Sequence, residues 1–150
     1  MKVIGFSINK INAERKAPVK GKLEIKQGIN IDDIKKEEVS ISKSPAVSFE
    51  FTYSLDYSPG FGKIEIKGTL VTLDENNESK DILKEWKKKK FAESGIKLSL
   101  FNFIMAKCNL KALQLEEEIG FPLHIPMPKL AADPSSSNKN TNNNPANYAG

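Results

Sequence analysis

The side chains that perform covalent chemistry are scarce in this chain. It holds one cysteine, Cys108, and one histidine, His124, and a nucleophile needs a base beside it. Cys108 falls on the apolar stripe of a helical pattern, where a thiol acts as a small hydrophobe. His124 stands in a proline-rich run with no Cys or His cluster around it, and a lone histidine does not make a metal site. Carboxylates are plentiful, but they occupy the polar positions of strand and helix patterns. Glu116, Glu117 and Glu118 read as a solvated helix face. No Gly-rich phosphate loop, paired-cysteine motif, HExxH or GxSxG occurs. The sequence points away from an enzyme and toward binding, with no catalytic residue, metal or cofactor expected.

The net charge is +4, and Lys84, Lys87, Lys88, Lys89 and Lys90 fall within seven residues. With Trp86 inside it and Phe91 after it, this run suits a nucleic-acid or ribosome contact. The alternative is a solvated helix end whose lysines complement the helix dipole. A single cysteine cannot form an internal disulfide, which fits a reducing cytoplasm. No run reaches the roughly 18 apolar residues of a membrane helix. Met1 to Phe6 lacks the apolar core of a signal peptide. A cytoplasmic location without membrane insertion is expected.

The elements that must position these groups are written in the periodicity. Val47, Phe49, Phe51, Tyr53, Leu55 and Tyr57 alternate with Ser48, Glu50, Thr52, Ser54 and Asp56, which predicts a strand with one apolar face. Ser58-Pro59-Gly60 turns the chain. Ile64, Ile66 and Leu70 then alternate with Lys63, Glu65, Lys67 and Thr69, completing a hairpin. Upstream, Lys2 to Arg15 reads as a strand with a parity switch near Asn9-Lys10, the mark of a bulge. Val19 to Ile31 reads as another strand, in which Gly28 marks a bulge or a close approach. Asp32 to Glu38 reads as a charged connection, and Val39-Ser40-Ile41 resumes the strand pattern. Four main strands are expected in the first 73 residues.

After the polar break at residues 74–78, Asn76 or Asn77 is a candidate cap for a short helix with Ile82, Leu83 and Trp86 on its apolar stripe. Ser94 is the candidate cap of a longer helix to about Ile119, closed by Gly120. Phe101, Ile104, Met105, Cys108, Ala112, Leu115 and Ile119 share one face, and Leu100, Phe103, Leu110 and Leu113 form a second stripe. So wide an apolar arc predicts contact beyond its own sheet, such as a second subunit, unless the short helix or the proline-rich segment covers it. Phe121 to Pro128 is too apolar for a free linker. Residues 131–150 are rich in Asn, Ser and Pro and are expected to be disordered, leaving residues 1–130 as the domain.

The strand pair Phe49-Glu50-Phe51-Thr52-Tyr53 and Gly62-Lys63-Ile64-Glu65-Ile66, with Gly120-Phe121-Pro122 after the long helix, resembles the SecB protein-export chaperones. Glu85 to Lys88, Lys107 to Leu113 and Pro122 to Pro128 resemble the archaeal SecB-like branch more closely. The resemblance covers about residues 1–130. It implies an α+β fold: a four-stranded antiparallel sheet with two helices packed on one face. It also implies a tetramer built as a dimer of dimers, and ATP-independent holding of unfolded or preprotein chains in hydrophobic grooves. The bacterial proteins are acidic where this chain is basic, and end in an amphipathic helix where this chain has an Asn-rich tail. These departures bear on docking to a SecA-like motor more than on client holding.

On this reading the client groove lies where the hairpin end, the first helix and the proline-rich segment meet, at Tyr57, Phe61, Trp86, Phe91, Phe121 and Leu123. The candidate oligomer interface is Leu100, Phe103, Leu110 and Leu113. Two alternatives stand beside it: a basic nucleic-acid- or ribosome-associated protein, and an assembly subunit with one dedicated protein partner.

Overall fold

The computed structural model describes residues 1–40, 44–89 and 95–132. Strands β1 (Lys2–Arg15), β2 (Glu24–Glu37), β3 (Ala46–Ser58) and β4 (Gly62–Leu73) precede helices α1 (Ser79–Lys87) and α2 (Gly95–Ile119). The strands form one antiparallel sheet in the order β1-β4-β3-β2. Both helices pack on the same face, so the fold is the α+β arrangement expected.

β3 and β4 occupy the centre because their alternation is unbroken. Phe49, Phe51, Tyr53, Leu55 and Tyr57 face the helices and are at most 1% exposed. Their ladder brings Leu70, Ile66 and Ile64 beside Phe49, Tyr53 and Leu55. Burying each such side chain contributes about 2 kcal/mol. The opposite face is polar, pairing Glu50 with Thr69, Thr52 with Lys67, Ser54 with Glu65 and Asp56 with Lys63. Gly68 is required by space. A Cβ there would lie 2.3 Å from the Ser7 carbonyl oxygen and 2.6 Å from Cζ of Phe51. The Phe51 ring fills that site and stacks on Phe6 at 5.5 Å.

β1 carries the expected bulge, between Ile8 and Lys10, and a second between Val3 and Gly5. Together they set Val3, Phe6, Ile8, Ile11 and Ala13 opposite Thr72, Leu70, Gly68, Ile66 and Ile64 on the helix side.

β2 corrects the sequence reading. It begins at Glu24 rather than Val19 and continues through the supposed connection to Glu37. A bulge between Ile31 and Asp33 shifts the phase, so that Ile34 joins Ile31 in the core, each 5% exposed. The alternation is lost at the bulge, and the charges beyond it are cross-strand rungs. Asp32 accepts from the Thr52 hydroxyl and, at 2.8 Å, from the Asn30 amide; Lys35 pairs with Glu50 at 2.6 Å and Asp33 at 3.2 Å. Gly28 marks a close approach, its Cβ position lying 3.2 Å from the Ser54 hydroxyl. Val39 and Ser40 lie outside any strand, and Ile41 falls outside the described residues.

The cap of α1 is neither Asn76 nor Asn77. Asp74, 2% exposed, supplies it from further upstream: its carboxylate accepts the backbone N–H of Glu78 at 2.8 Å and of Ser79 at 3.0 Å. Burial alone would raise the Asp74 pKa, but the hydrogen bonds from Ser79 and Glu78 hold it below the ordinary carboxylate value. Asn77 instead makes the preceding turn, at φ 58°. Ser94, the expected cap of α2, lies outside the described residues. Leu100, Ile104, Cys108, Ala112, Leu115 and Glu116 form the buried face of α2. Gly120 closes the helix at φ 74°, and the Phe121 N–H donates back to the Glu116 carbonyl at 2.9 Å. The expectation for the tail lies outside the described residues beyond Ala132.

Candidate functional site

The structure overturns the reading of Glu116 as part of a solvated helix face. Its neighbours Glu117 and Glu118 are exposed, but Glu116 is 0% exposed. It points at the sheet because it lies one helical turn from Ala112 on the buried side. Its carboxylate accepts the Tyr57 hydroxyl, the His124 backbone N–H at 3.1 Å, and contacts His124 Nδ1 at 2.9 Å. His124 Nε2 lies 3.0 Å from Oδ1 of Asn109, which also accepts from the Tyr53 hydroxyl at 2.8 Å and the Gln27 amide at 2.8 Å. Among the described residues no buried side-chain polar atom lacks a partner. This cluster ties β2, β3, α2 and the segment after α2 into one unit.

The same cluster defines the available acid–base chemistry. Burial, followed by the hydrogen bond and charge of Glu116, raises the pKa of the Tyr57 phenol well above its ordinary value; burial does the same to Tyr53. Burial pushes the Cys108 thiol up to about 12. All three side chains are buried in the core. Among the described residues no group of three or more His, Cys, Asp or Glu could hold a metal ion, and no helix is long and apolar enough to cross a membrane.

Of the residues assigned to a client groove, Tyr57, Phe61, Phe121 and Leu123 meet at one corner of the fold, and Trp86 is not with them. Tyr57 and Phe121 stack at 4.0 Å inside the core, with Arg15 over the far side of Phe121 at 5.8 Å. Arg15 also donates to the carbonyls of Ile119 and Gly120 at 3.3 and 3.2 Å. Phe61 is buried beside them, its carbonyl accepting the N–H of Lys16 at 2.8 Å. Leu123, 38% exposed, stands at the rim of this corner, in a shallow cleft of about 420 Å³ with Val19 and Pro122. Trp86 lies elsewhere, and Phe91 falls outside the described residues.

Trp86 belongs to a larger cleft of about 460 Å³, where the end of α1 and the first turns of α2 meet over β2. Ile29 and Ile31 form its floor, Trp86 and Phe101 its walls, and Lys87, Lys89 and Lys97 its rim. The Lys97 ammonium sits 5.0 Å from the Phe101 ring centroid. The sequence places Lys97 and Phe101 one turn apart on the same helix side. It gives no sign that α1 brings Trp86 to them.

The assigned oligomer residues also separate. Leu100 is buried against its own sheet at 4% exposure. Phe103 is half-buried, edge-on to Phe6 at 5.9 Å, and Leu113 is half-buried. Leu110 projects outward at 66% exposure, and Leu98 joins it three turns earlier at 68%.

No family model matches the chain, and no curated protein does. Among solved structures, it is similar to the Mycobacterium tuberculosis Rv1957 SecB-like chaperone in complex with a ChAD peptide from the Rv1956 HigA1 antitoxin. That similarity has a TM-score of 0.47 and 8% sequence identity, and covers 88% of this chain and 91% of that chain.

Proposed function

We propose that this chain is an ATP-independent holdase that binds unfolded or preprotein segments through apolar clefts, as a cytoplasmic homo-oligomer of the SecB-like type. The observation that carries the reading is the open cleft floored by Ile29 and Ile31 and walled by Trp86 and Phe101. Its volume, about 460 Å³, falls in the range that accepts bulky apolar groups. The sequence resemblance to SecB-like proteins supports the same reading, as does the sequestration of Cys108, Tyr53 and Tyr57 inside the core.

Holding needs no nucleotide on this reading. Burial of client apolar surface supplies about 25 cal/mol per Å², and several weak contacts let a client leave one at a time. On the outer side of α2, Leu98 and Leu110 stand exposed among polar neighbours such as Asn102, Lys107 and Gln114. A second copy is the proposed cover, with the tetramer as the assembled form.

The test joins solution mass to client protection. An oligomer that suppresses light scattering by a denatured client at near-stoichiometric amounts supports the proposal. A monomer that leaves aggregation unchanged overturns it.

The lysine rim favours one second reading, a single-stranded nucleic acid stacking on Trp86 and Phe101. Salt-dependent capture of an oligonucleotide, with no protection of a denatured client, would establish it.

A further inference from the structure

The Trp86 cleft has a charge pattern that a general apolar groove does not require. Lys87 and Lys89 follow from the end of α1, and Lys97 comes from the first turns of α2, so two separate elements deliver like charge to one opening. Among the described residues no carboxylate forms an ion pair with any of the three. Lys97 is half-buried and leans over the Phe101 ring. Ion-paired lysines do occur in the fold: Glu65 lies within 4 Å of both Lys63 and Lys67 on β4, and Glu50 and Asp33 bracket Lys35. Among the described residues the cleft is therefore an apolar pocket whose charged lining is entirely positive.

We infer that this cleft selects polypeptide segments in which an apolar side chain is flanked by Asp or Glu. The apolar side chain enters between Trp86 and Phe101, and the flanking carboxylates meet Lys87, Lys89 and Lys97 at the rim. Segments flanked by Lys or Arg are repelled by the same lysines. Two features favour polypeptide over nucleic acid. The floor, where Asn30 also contributes, carries the aliphatic side chains of Ile29 and Ile31, which suit an aliphatic or aromatic side chain better than a polar base. β2 is also an edge strand, so among the described residues half of its backbone N–H and C=O groups have no strand partner. An extended polypeptide can pair with such groups. The inference rests on the holding reading for the kind of molecule that enters the cleft, and adds which segments it takes.

Trp86 is the sole tryptophan and lines the cleft, so its emission reports occupancy directly. The full-length chain is titrated with the peptide Glu-Glu-Leu-Phe-Leu-Glu-Glu, with a Lys-flanked counterpart, and with an oligouridylate. The expected result is a Trp86 emission shift with the acidic peptide and about tenfold tighter binding than the basic one, from rim charge pairs of modest individual strength. Raising salt from ~50 to ~500 mM should shrink that ratio. Lys89→Glu with Lys97→Glu should invert it, while Lys89→Gln with Lys97→Gln should bring the two peptides level. Equal affinity for both peptides in the unaltered chain overturns the inference. So does oligouridylate binding at Trp86 with no response to either peptide.

The parallel aggregation assay separates the two claims. Equal protection of acidic and basic clients, with equal peptide affinities, removes the charge preference and leaves holding intact. A clear acidic preference at Trp86 with no protection of any client supports the selectivity of the cleft and removes holding.

Discussion

Replacing Glu116 by alanine tests whether the buried polar cluster holds the fold together. The truncation strips the acceptor from the Tyr57 hydroxyl and from the His124 backbone N–H, and removes the contact with His124 Nδ1 at 2.9 Å. Each donor left buried and unpaired costs about 1–2 kcal/mol. Removing a buried carboxylate returns part of that, because its desolvation is relieved. The net expected loss is about 3 kcal/mol, which for a domain of this size lowers Tm by about 12 °C. Glu116→Gln keeps the shape and one acceptor oxygen, so about half that loss is expected. Thermal unfolding followed by circular dichroism at fixed protomer concentration measures both, since assembly makes Tm concentration-dependent. His124→Ala in the same background should show a coupling energy above about 1 kcal/mol, because the two residues share one contact. If Glu116→Ala unfolds within about 4 °C of the parent chain, the carboxylate is not carrying these donors and the reasoning fails.

High pH should unfold the chain in stages. Cys108, Tyr53 and Tyr57 all have pKa values raised by burial, Cys108 to about 12. Unfolding above their ordinary values therefore releases protons, and stability falls as pH rises. The expected slope is about 1.4 kcal/mol per pH unit from about pH 9, steepening above about pH 10 as the phenols join. Cys108→Ala should remove the first part of that slope in denaturant melts taken across the range. Asp74→Ala deletes the carboxylate that caps α1 and should cost about 1 kcal/mol, with a change in Trp86 emission as α1 loosens over β2; an unchanged emission would detach α1 docking from its cap. Gly68→Ala should be among the most damaging small substitutions, since the Ser7 carbonyl and the Phe51 ring occupy the space of the new methyl; soluble expression and Tm report it. Leu98→Glu with Leu110→Glu should lower the mass measured by sedimentation while leaving the circular dichroism spectrum intact, if the outer side of α2 joins copies.

How much was legible followed from how local each cause was. The β3–β4 hairpin, the bulge in β1 and the Gly120 closure of α2 each come from a pattern within a few residues, so periodicity and turn chemistry suffice to find them. β2 was misplaced because its bulge at Asp32 breaks the two-residue period, and the charged residues beyond it look like a loop until Glu50 and Thr52 are set beside them. The cap of α1 was misplaced for a similar reason, since Asp74 reaches it from outside the helical pattern.

The amino-acid order by itself determined the class of the molecule: an antiparallel sheet with one aromatic face, covered by a short helix and a long one. Only the tertiary structure decided which side chains meet. Three neighbouring glutamates look alike in sequence, yet helix phase sends Glu116 into the core and leaves Glu117 and Glu118 in water. Tyr57 and Phe121 are both apolar candidates for a surface groove, yet they bury each other at 4.0 Å, while Trp86 joins Phe101 and three lysines across a cleft that no local pattern announces. Periodicity reports which face of an element a residue takes. It does not report which other element that face will meet, and the candidate site is made of such meetings.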